Sequence, residues 1–224
     1  DYYPTGLIYG KVLRSPHAHA NIKSIDTSKA EKLAGVFSVV TGNDLADAGD
    51  DDDLKYLRNN ILAADKALYK GHAIAAVAAV NIHVAEEAIE LIDVEYKELE
   101  PVLTVQQAMP KNAPLLHPEL VTEEMGEKTT TKSNIANHYQ HKLGDIEVGF
   151  NEADYIVERE FNTETVHQGY IEPHNSTAFW NNDGKLNIWC STQGAFNLRD
   201  SVAKILGIEV SAIKVTPLEI GGGF

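Results

Sequence analysis

The sequence predicts an α+β protein, because strand-like and helix-like segments alternate along it without a regular repeat. Residues 73–80 are eight small or β-branched apolar residues in a row, which is typical of a strand covered on both faces. An amphipathic helix and a further strand follow, up to residue 99. An Asp-Gly turn at residues 183–184 indicates a hairpin, which opens a second region of the same kind.

Length and composition bound the class of protein. With 224 residues, of which 43% are hydrophobic and 23% charged, the chain can form one large domain or two ordinary ones. Its net charge of −14 argues against nucleic acid as a partner. It has no run of about 18 apolar residues and no charged leader, so neither a membrane span nor a secretory signal is predicted. The lone Cys190 favours a cytoplasmic location, and a start at Asp1 rather than Met favours a longer polypeptide.

The first predicted domain covers residues 1–109. Its strand segments are rich in β-branched and other apolar residues. They lie at residues 7–14, 20–25, 36–40, 73–80 and 94–99. The first segment carries such residues on both alternating faces, so we expect it to be an inner strand of a sheet.

Two helices are expected within this domain. Ser28 and Glu31 have the spacing of a capping box and Gly35 supplies a stop, which predicts a short helix over residues 28–34. Asn81 can cap a longer helix with one apolar stripe. The stripe consists of Val84, Ala85, Ala88, Ile89 and Ile92.

A cluster of carboxylates stands between these elements, at Asp47 and at residues 50–53. Clustered carboxylates ligate calcium when alternate side chains surround one centre. Four of these residues are consecutive, so that neighbouring side chains point apart, and a solvated loop is the favoured interpretation. A cation site is the alternative.

The second predicted domain covers residues 138–224 and follows a linker at 110–137, where prolines interrupt any sustained period. Its strand-like segments lie at residues 155–161, 176–180, 186–190 and 213–220. The second and third of these form the hairpin, and a helix after Thr192 ends at Gly207. The last segment leads into a glycine loop.

The loop Gly221-Gly222-Gly223-Phe224 follows a strand end, where ligands often bind. Glycine lacks a Cβ atom, so its backbone can adopt positive φ, approach a bound group and direct N–H donors at anionic oxygens. The spacing is not that of a dinucleotide fingerprint. The loop is therefore either the edge of an active site or a flexible terminus.

The densest polar cluster is His167-Gln168-Gly169-Tyr170-Ile171-Glu172-Pro173-His174. Its two histidines and its carboxylate could bind zinc, but their spacing matches no familiar pair of ligands. The pairs His17 with His19 and His138 with His141 are better explained as hydrogen-bonding histidines. We therefore assign no metal ligand. The alternative that this chain is an independent metal-binding or small-ligand-binding protein, built on its histidines, stays open. No nucleophile elbow supports covalent catalysis.

Several motifs occur in a fixed order along essentially the whole chain. They are Gly10-Lys11-Val12-Leu13-Arg14-Ser15-Pro16-His17-Ala18, Ile25-Asp26-Thr27-Ser28-Lys29-Ala30, Gly35-Val36, Tyr69-Lys70-Gly71-His72, the cluster from His167 to His174, Thr192-Gln193, Val202-Ala203-Lys204-Ile205-Leu206-Gly207 and the glycine loop. In this order they resemble the large, molybdenum-binding subunit of the xanthine dehydrogenase and aldehyde oxidase family. Several motifs in order are far more specific than any one of them.

The resemblance implies an α/β-hammerhead domain followed by the first, incomplete part of a molybdopterin-binding α+β domain. It implies an oxidoreductase in which a molybdenum centre hydroxylates an aromatic heterocycle or aldehyde with oxygen from water. The cofactor would be molybdenum-molybdopterin, shared with further sequence, while 2Fe-2S clusters and FAD would lie on partner subunits or domains. The expected partners are the remaining molybdopterin-binding polypeptide, an iron–sulfur subunit, a flavin subunit and a small-molecule substrate.

By the same resemblance, Gly221-Gly222-Gly223, Phe224 and Gln168 belong to the cofactor site, with Phe224 in the wall beside the metal. Glu172 is a candidate for the substrate pocket. Structural roles are the alternatives, namely a buried amide for Gln168 and an ion pair or cap for Glu172. Gln193 is expected to be structural.

Two departures limit what the resemblance carries over. In the xanthine-oxidising branch a glutamine two residues before the position of Gln168 approaches a molybdenum oxygen, but Val166 stands there in this chain. The general-base glutamate of the family is expected downstream, so no catalytic residue is assigned within the chain, and one cysteine is too few for an iron–sulfur cluster. We therefore expect the chain alone to be inactive. A non-catalytic assembly or scaffold module with the same fold is the alternative.

Overall fold

The structure, a computed structural model, describes residues 2–45 and 47–223. It divides into two compact units: the chain up to Glu100 together with the part from Tyr170 onward, and the intervening stretch Pro101–Gly169. The domain boundaries that the sequence suggests, at residues 109 and 137, stay predictions. No helix in the described ranges is long and apolar enough to cross a bilayer.

Two antiparallel three-stranded sheets occupy the first hundred residues. The elements are β1 (Tyr9–Arg14), β2 (Ala20–Asp26), α1 (Ser28–Glu31), β3 (Val36–Thr41), α2 (Asp52–Ile61), β4 (Lys66–Ala67), β5 (Ala73–Ala79), α3 (Ile82–Glu90) and β6 (Asp93–Glu98). The strand orders are β1-β5-β3 and β4-β2-β6. The helix α3 packs on β1 and β5. One core cluster joins α1, β5, α3 and the turn after α3, through Ala30, Ala75, Val77, Ala88 and Ile92.

The strand β5 is the covered strand that its composition predicts, since it is central in its sheet and mostly buried. The expectation that β1 is an inner strand is wrong, because among the described residues β1 pairs only with β5. Tyr9 and Val12 of β1 are correspondingly exposed. Bulky side chains on both faces do not specify a central strand, because that place is decided by which strand has both hydrogen-bonding edges paired.

The two helix starts differ in how well the sequence predicts them. The Asn81 side chain accepts a hydrogen bond from the Val84 N–H at 2.9 Å, which confirms the predicted cap. The capping box at Ser28 is wrong, because Thr27 is the capping position and its hydroxyl donates to Glu31 at 2.6 Å. The helix α1 ends at Glu31, short of the predicted end, and Gly35 adopts φ 94° just before β3.

Replacing Asn81 with alanine is expected to destabilise the first sheet and its helix by about 1 kcal/mol, because the N-terminal amides of α3 lose their side-chain acceptor. Urea unfolding would measure this change. Asn81→Asp keeps an acceptor oxygen and should unfold at nearly the wild-type urea concentration. Equal unfolding midpoints for all three proteins would contradict the capping role.

The prediction that the acidic cluster is a solvated loop is wrong for residues 51–53, which form the start of a helix. Asp51 caps α2 by accepting from the Leu54 N–H at 3.0 Å, and Asp52 and Asp53 lie in the first helical turn. Carboxylates in that turn interact favourably with the positive end of the helix dipole. The sequence signal was present, since an Asp stands three residues before Leu54 at the start of an amphipathic stretch.

The second unit is built around a small sheet. Its elements are α4 (Val105–Ala108), β7 (Val121–Glu124), β8 (Glu127–Lys132), β9 (Asn137–His138) and α5 (Ile146–Glu152). The strand order is β8-β7-β9. The stretch predicted as a linker thus contains a hairpin, whose turn places Met125 at φ 53° and Gly126 at φ 90°. Buried Thr122 donates to the Ile135 carbonyl at 2.9 Å, which orders the irregular chain beside β7.

The strand expected over residues 155–161 is wrong. This segment forms no strand, and Tyr155 and Phe161 are 92% and 84% exposed. Alternation of apolar side chains gives a strand only when a neighbouring strand takes up the backbone hydrogen bonds. No strand within the described ranges pairs with this segment.

The chain from Tyr170 onward forms the third sheet of the first unit, and the strands and helix predicted there are confirmed. Its elements are β10 (Ser176–Trp180), β11 (Leu186–Ser191), α6 (Ala195–Leu206) and β12 (Ile213–Leu218). A hairpin with Gly184 at φ 80° joins β10 to β11, and Gly207 ends α6 in the left-handed conformation. Because β11 and β12 are parallel, the β11–α6–β12 unit places the carboxyl ends of these strands side by side.

Candidate functional site

Three chain segments meet at the carboxyl ends of β11 and β12. Ser191 is the last residue of β11, and the loop from Glu219 to Gly223 follows β12. The segment before β10 contributes Glu172 through its hydrogen bonds to this edge. In sheets with parallel strands, ligands bind just outside the carboxyl ends of neighbouring strands.

The Glu172 carboxylate accepts two hydrogen bonds, one from the Ser191 hydroxyl and one from the Gly221 N–H. The Ser191 hydroxyl oxygen also lies 2.9 Å from the Glu219 carbonyl oxygen. The hydrogen bond from Ser191, followed by that from Gly221, lowers the pKa of Glu172 below its ordinary value, and His174 adds a smaller favourable charge. The carboxylate is therefore ionised at neutral pH.

Gln193 holds the far end of the same loop. Its Nε2 donates to the Gly223 carbonyl at 3.2 Å. A Cβ atom on Gly221 would lie 2.5 Å from the Glu172 Cβ, and one on Gly223 would collide with the Gln193 amide. Neither glycine has φ in the left-handed region. Gly221 is thus required for close approach between chain segments rather than for positive φ, whereas the flexible Gln193 side chain can move away from a Cβ atom on Gly223.

The remaining residues singled out in the sequence are placed as follows. Gln168 is exposed and lies in the unit Pro101–Gly169, so the alternative of a buried structural amide is wrong. Phe224 lies outside the described residues. Tyr170 and His174 make an edge-to-face pair, with the hydroxyl oxygen 3.2 Å from Nε2. Ser191 was not singled out from the sequence, because its only signal was a hydroxyl at the end of a predicted strand.

Three of the four histidines in the two pairs singled out from the sequence, His17, His19 and His138, have a hydrogen-bonding or carboxylate neighbour. His19 Nδ1 lies 2.8 Å from the Glu100 carbonyl oxygen, and His138 Nδ1 lies 2.7 Å from a Glu124 carboxylate oxygen. His17 lies 3.6 Å from the Glu98 carboxylate. Within residues 2–45 and 47–223, no group of three or more His, Cys, Asp or Glu side chains is arranged to hold a metal ion.

Comparison with known families covers most of the chain with two matches. Residues 1–100 match "Aldehyde oxidase and xanthine dehydrogenase, a/b hammerhead domain", and residues 127–224 match "Molybdopterin cofactor-binding domain". The chain belongs to the xanthine dehydrogenase and aldehyde oxidase family. The resemblance of its motifs and the α+β class are confirmed.

Individual members of the family agree with this assignment. A probable hypoxanthine oxidase of Escherichia coli K12 is 34% identical over 244 residues, covering 96% of this chain and 25% of that protein. A probable xanthine dehydrogenase subunit of Bacillus subtilis is 35% identical over 219 residues, covering 98% of this chain and 28% of that protein. The structure of reconstituted CO dehydrogenase from Oligotropha carboxidovorans superposes with a TM-score of 0.79 at 31% identity. The match covers 100% of this chain and 28% of that one. The chain therefore spans about a quarter of the length of these family members.

The edge described above suits a group with anionic oxygens. The backbone of Gly222 and Gly223 is exposed, and no residue in the described ranges accepts a hydrogen bond from either N–H. Exposed backbone N–H groups without an internal acceptor can donate to the oxygens of a bound group. The glycine loop thus fits one side of a site for the pterin cofactor named in the matched family.

Proposed function

We propose that this chain supplies one side of the cofactor site of a molybdenum hydroxylase, an oxidoreductase that acts on an aromatic heterocycle or an aldehyde. The observation that carries the proposal is the glycine loop, which is held at the carboxyl edge of β11 and β12 inside the region that matches the molybdopterin-binding family. When bound, molybdenum-molybdopterin supplies the two-electron redox chemistry and the transfer of oxygen from water.

In this proposal the residues of this chain bind and orient the cofactor. The N–H groups of Gly222 and Gly223 donate to cofactor oxygens, while Gly221 lets the loop approach Glu172. Gln168 and Phe224 stay proposed cofactor-binding residues on the strength of the family resemblance alone. Glu172 borders the substrate pocket. The proton acceptor for the reaction, a glutamate, is supplied by further sequence, so that no residue of this chain acts as the base.

The proposed partners follow from the same assignment. Electrons leave through 2Fe-2S clusters and, in most such assemblies, FAD on other subunits or domains, while the remaining molybdopterin-binding polypeptide completes the site. The relatives include enzymes named for hypoxanthine and xanthine, which supports a small heterocycle as substrate. The buried free thiol of Cys190 supports a reducing compartment, and we propose the cytoplasm.

The test uses the intact enzyme that contains this chain. Molybdenum is measured by mass spectrometry, and oxidation of a panel of purines, N-heterocycles and aldehydes is followed with an artificial electron acceptor in ¹⁸O-labelled water. We expect about one molybdenum atom per chain and ¹⁸O in the product of at least one substrate.

A complete assembly that contains molybdenum and its electron-transfer subunits, but oxidises none of the panel, would count against the substrate class. An assembly that lacks molybdenum after expression with a functioning cofactor pathway would instead support the scaffold alternative. Tungstate in the growth medium serves as the control, since it should abolish the activity without reducing the amount of protein.

A further inference from the structure

We propose that Ser191 and Glu172 are positioning residues that fasten the glycine loop to the carboxyl edge of the β10-β11-β12 sheet. Their importance for catalysis rests on the proposed function, whereas the contacts themselves lie within one unit of this chain. Both residues act on the loop backbone, so neither needs to touch the substrate to affect the reaction.

The Glu172 carboxylate bridges two donors that are distant in sequence. Ser191 and Gly221 are 19 and 49 residues away from Glu172 in sequence, yet each donates to a different carboxylate oxygen. An ionised carboxylate has acceptor sites for both donors, and hydrogen bonds to a charged acceptor are stronger than neutral ones. Glu172 therefore joins the segment before β10, the end of β11 and the loop after β12.

The Ser191 hydroxyl lies between two acceptors. Ser191 Oγ lies within hydrogen-bonding distance of the Glu172 carboxylate and of the Glu219 carbonyl, which begins the loop. Its single proton can be given to only one of them at a time. Both acceptors nevertheless keep the hydroxyl at the junction, where it orients the carboxylate towards the Gly221 N–H.

The glycine loop is held at two points along its length. Glu172 holds the Gly221 N–H and Gln193 holds the Gly223 carbonyl, so the two tethers lie on either side of Gly222. The N–H groups of Gly222 and Gly223 are left for a ligand. Preorganised donors of this kind bind an anion without a further cost of ordering the loop.

The fastening depends on pH, because protonation removes the charge that strengthens both hydrogen bonds and turns one carboxylate oxygen into a weaker hydroxyl acceptor. The pKa of Glu172 in the folded chain is lowered, by Ser191 first and Gly221 second. The interaction is therefore complete above the ordinary pKa of a glutamate, and it is lost as the pH falls through the lowered pKa.

The experiment is hydrogen exchange with mass spectrometry on the intact enzyme, followed at peptides that cover residues 219–223. Glu172→Gln replaces one acceptor oxygen with an NH₂ donor, and Ser191→Ala removes a donor. In both variants exchange in the loop should accelerate about three- to tenfold at neutral pH. Ser191→Thr keeps the hydroxyl and should restore slow exchange. Glu219→Gln serves as the control, because it removes one negative charge beside the loop but leaves the Glu172 carboxylate intact.

The pH dependence separates fastening from a general loss of structure. In the wild type, exchange corrected for its intrinsic rate should rise as the pH falls through the pKa of Glu172, and this rise should be absent in Glu172→Gln. Wild-type exchange rates in Glu172→Gln, or equal acceleration in Glu219→Gln, would overturn the proposal. The result does not require bound molybdenum, so it stands even if the enzyme proves to lack the cofactor and the proposed function fails.

Discussion

Replacing Gly221 with alanine is expected to lower kcat of the intact enzyme about 100-fold, the largest loss of activity among the changes considered. The new Cβ would lie 2.5 Å from the Glu172 Cβ and 2.7 Å from its Oε2, distances that real Cβ atoms do not tolerate. The loop must move away from Glu172, and the N–H groups of Gly222 and Gly223 move with it. Displacement of about 1 Å in a site that orients reacting groups costs this much in rate.

Steady-state kinetics and molybdenum content together measure this effect. Gly149→Ala is the matched control, because Gly149 lies in α5, has no atom within 4 Å of its hypothetical Cβ and is not in the left-handed region. It should retain wild-type activity, since alanine suits a helix better than glycine does. If Gly221→Ala were as active as Gly149→Ala, the close approach of the loop to Glu172 would have no part in the reaction.

Replacing Ile74 with alanine is expected to destabilise the protein by about 2–5 kcal/mol, the largest effect on stability. Ile74 lies in β5 and is fully buried. It belongs to a cluster with Ala63 and Ala67, against which Ile22 and Val94 also pack. Most of its neighbours lie on paired strands that cannot shift freely, so they can fill only part of the cavity that the substitution leaves.

Urea unfolding, with hydrogen exchange to follow β5 itself, would measure the change. Ile8→Ala is the control, since Ile8 precedes β1 and is 45% exposed. It removes the same atoms but should cost about 1 kcal/mol or less. Similar unfolding midpoints for both variants would show that the cluster around Ile74 contributes little to stability.

Local signals carried the correct predictions. The run of alanine and valine in β5, the Asn81 cap and the Asp-Gly turn each act within a few residues, and each produced the expected element. Where a second segment decides the outcome, the sequence pattern misled. The alternation at residues 155–161 lacks a pairing strand, and β1 lies at an edge because β5 is paired on both sides.

The candidate site shows the same division. The glycine loop and Glu172 could be singled out from the motif order, since both belong to short runs with a distinctive composition. Ser191 could not, because its partners Glu172 and Glu219 lie 19 and 28 residues away. The use of glycine also differed from the expectation, since Gly221 and Gly223 permit close contact rather than positive φ.

The sequence by itself determined the family, the α+β class and the strand that delivers the glycine loop, because these depend on composition, periodicity and motif order. Only the tertiary structure decided that the Glu172 carboxylate is bonded to the loop and that Ser191 orients it. The physical reason is that a hydrogen bond between distant segments depends on strand order and register. These are set by the packing of whole elements, and no local pattern of residues specifies them.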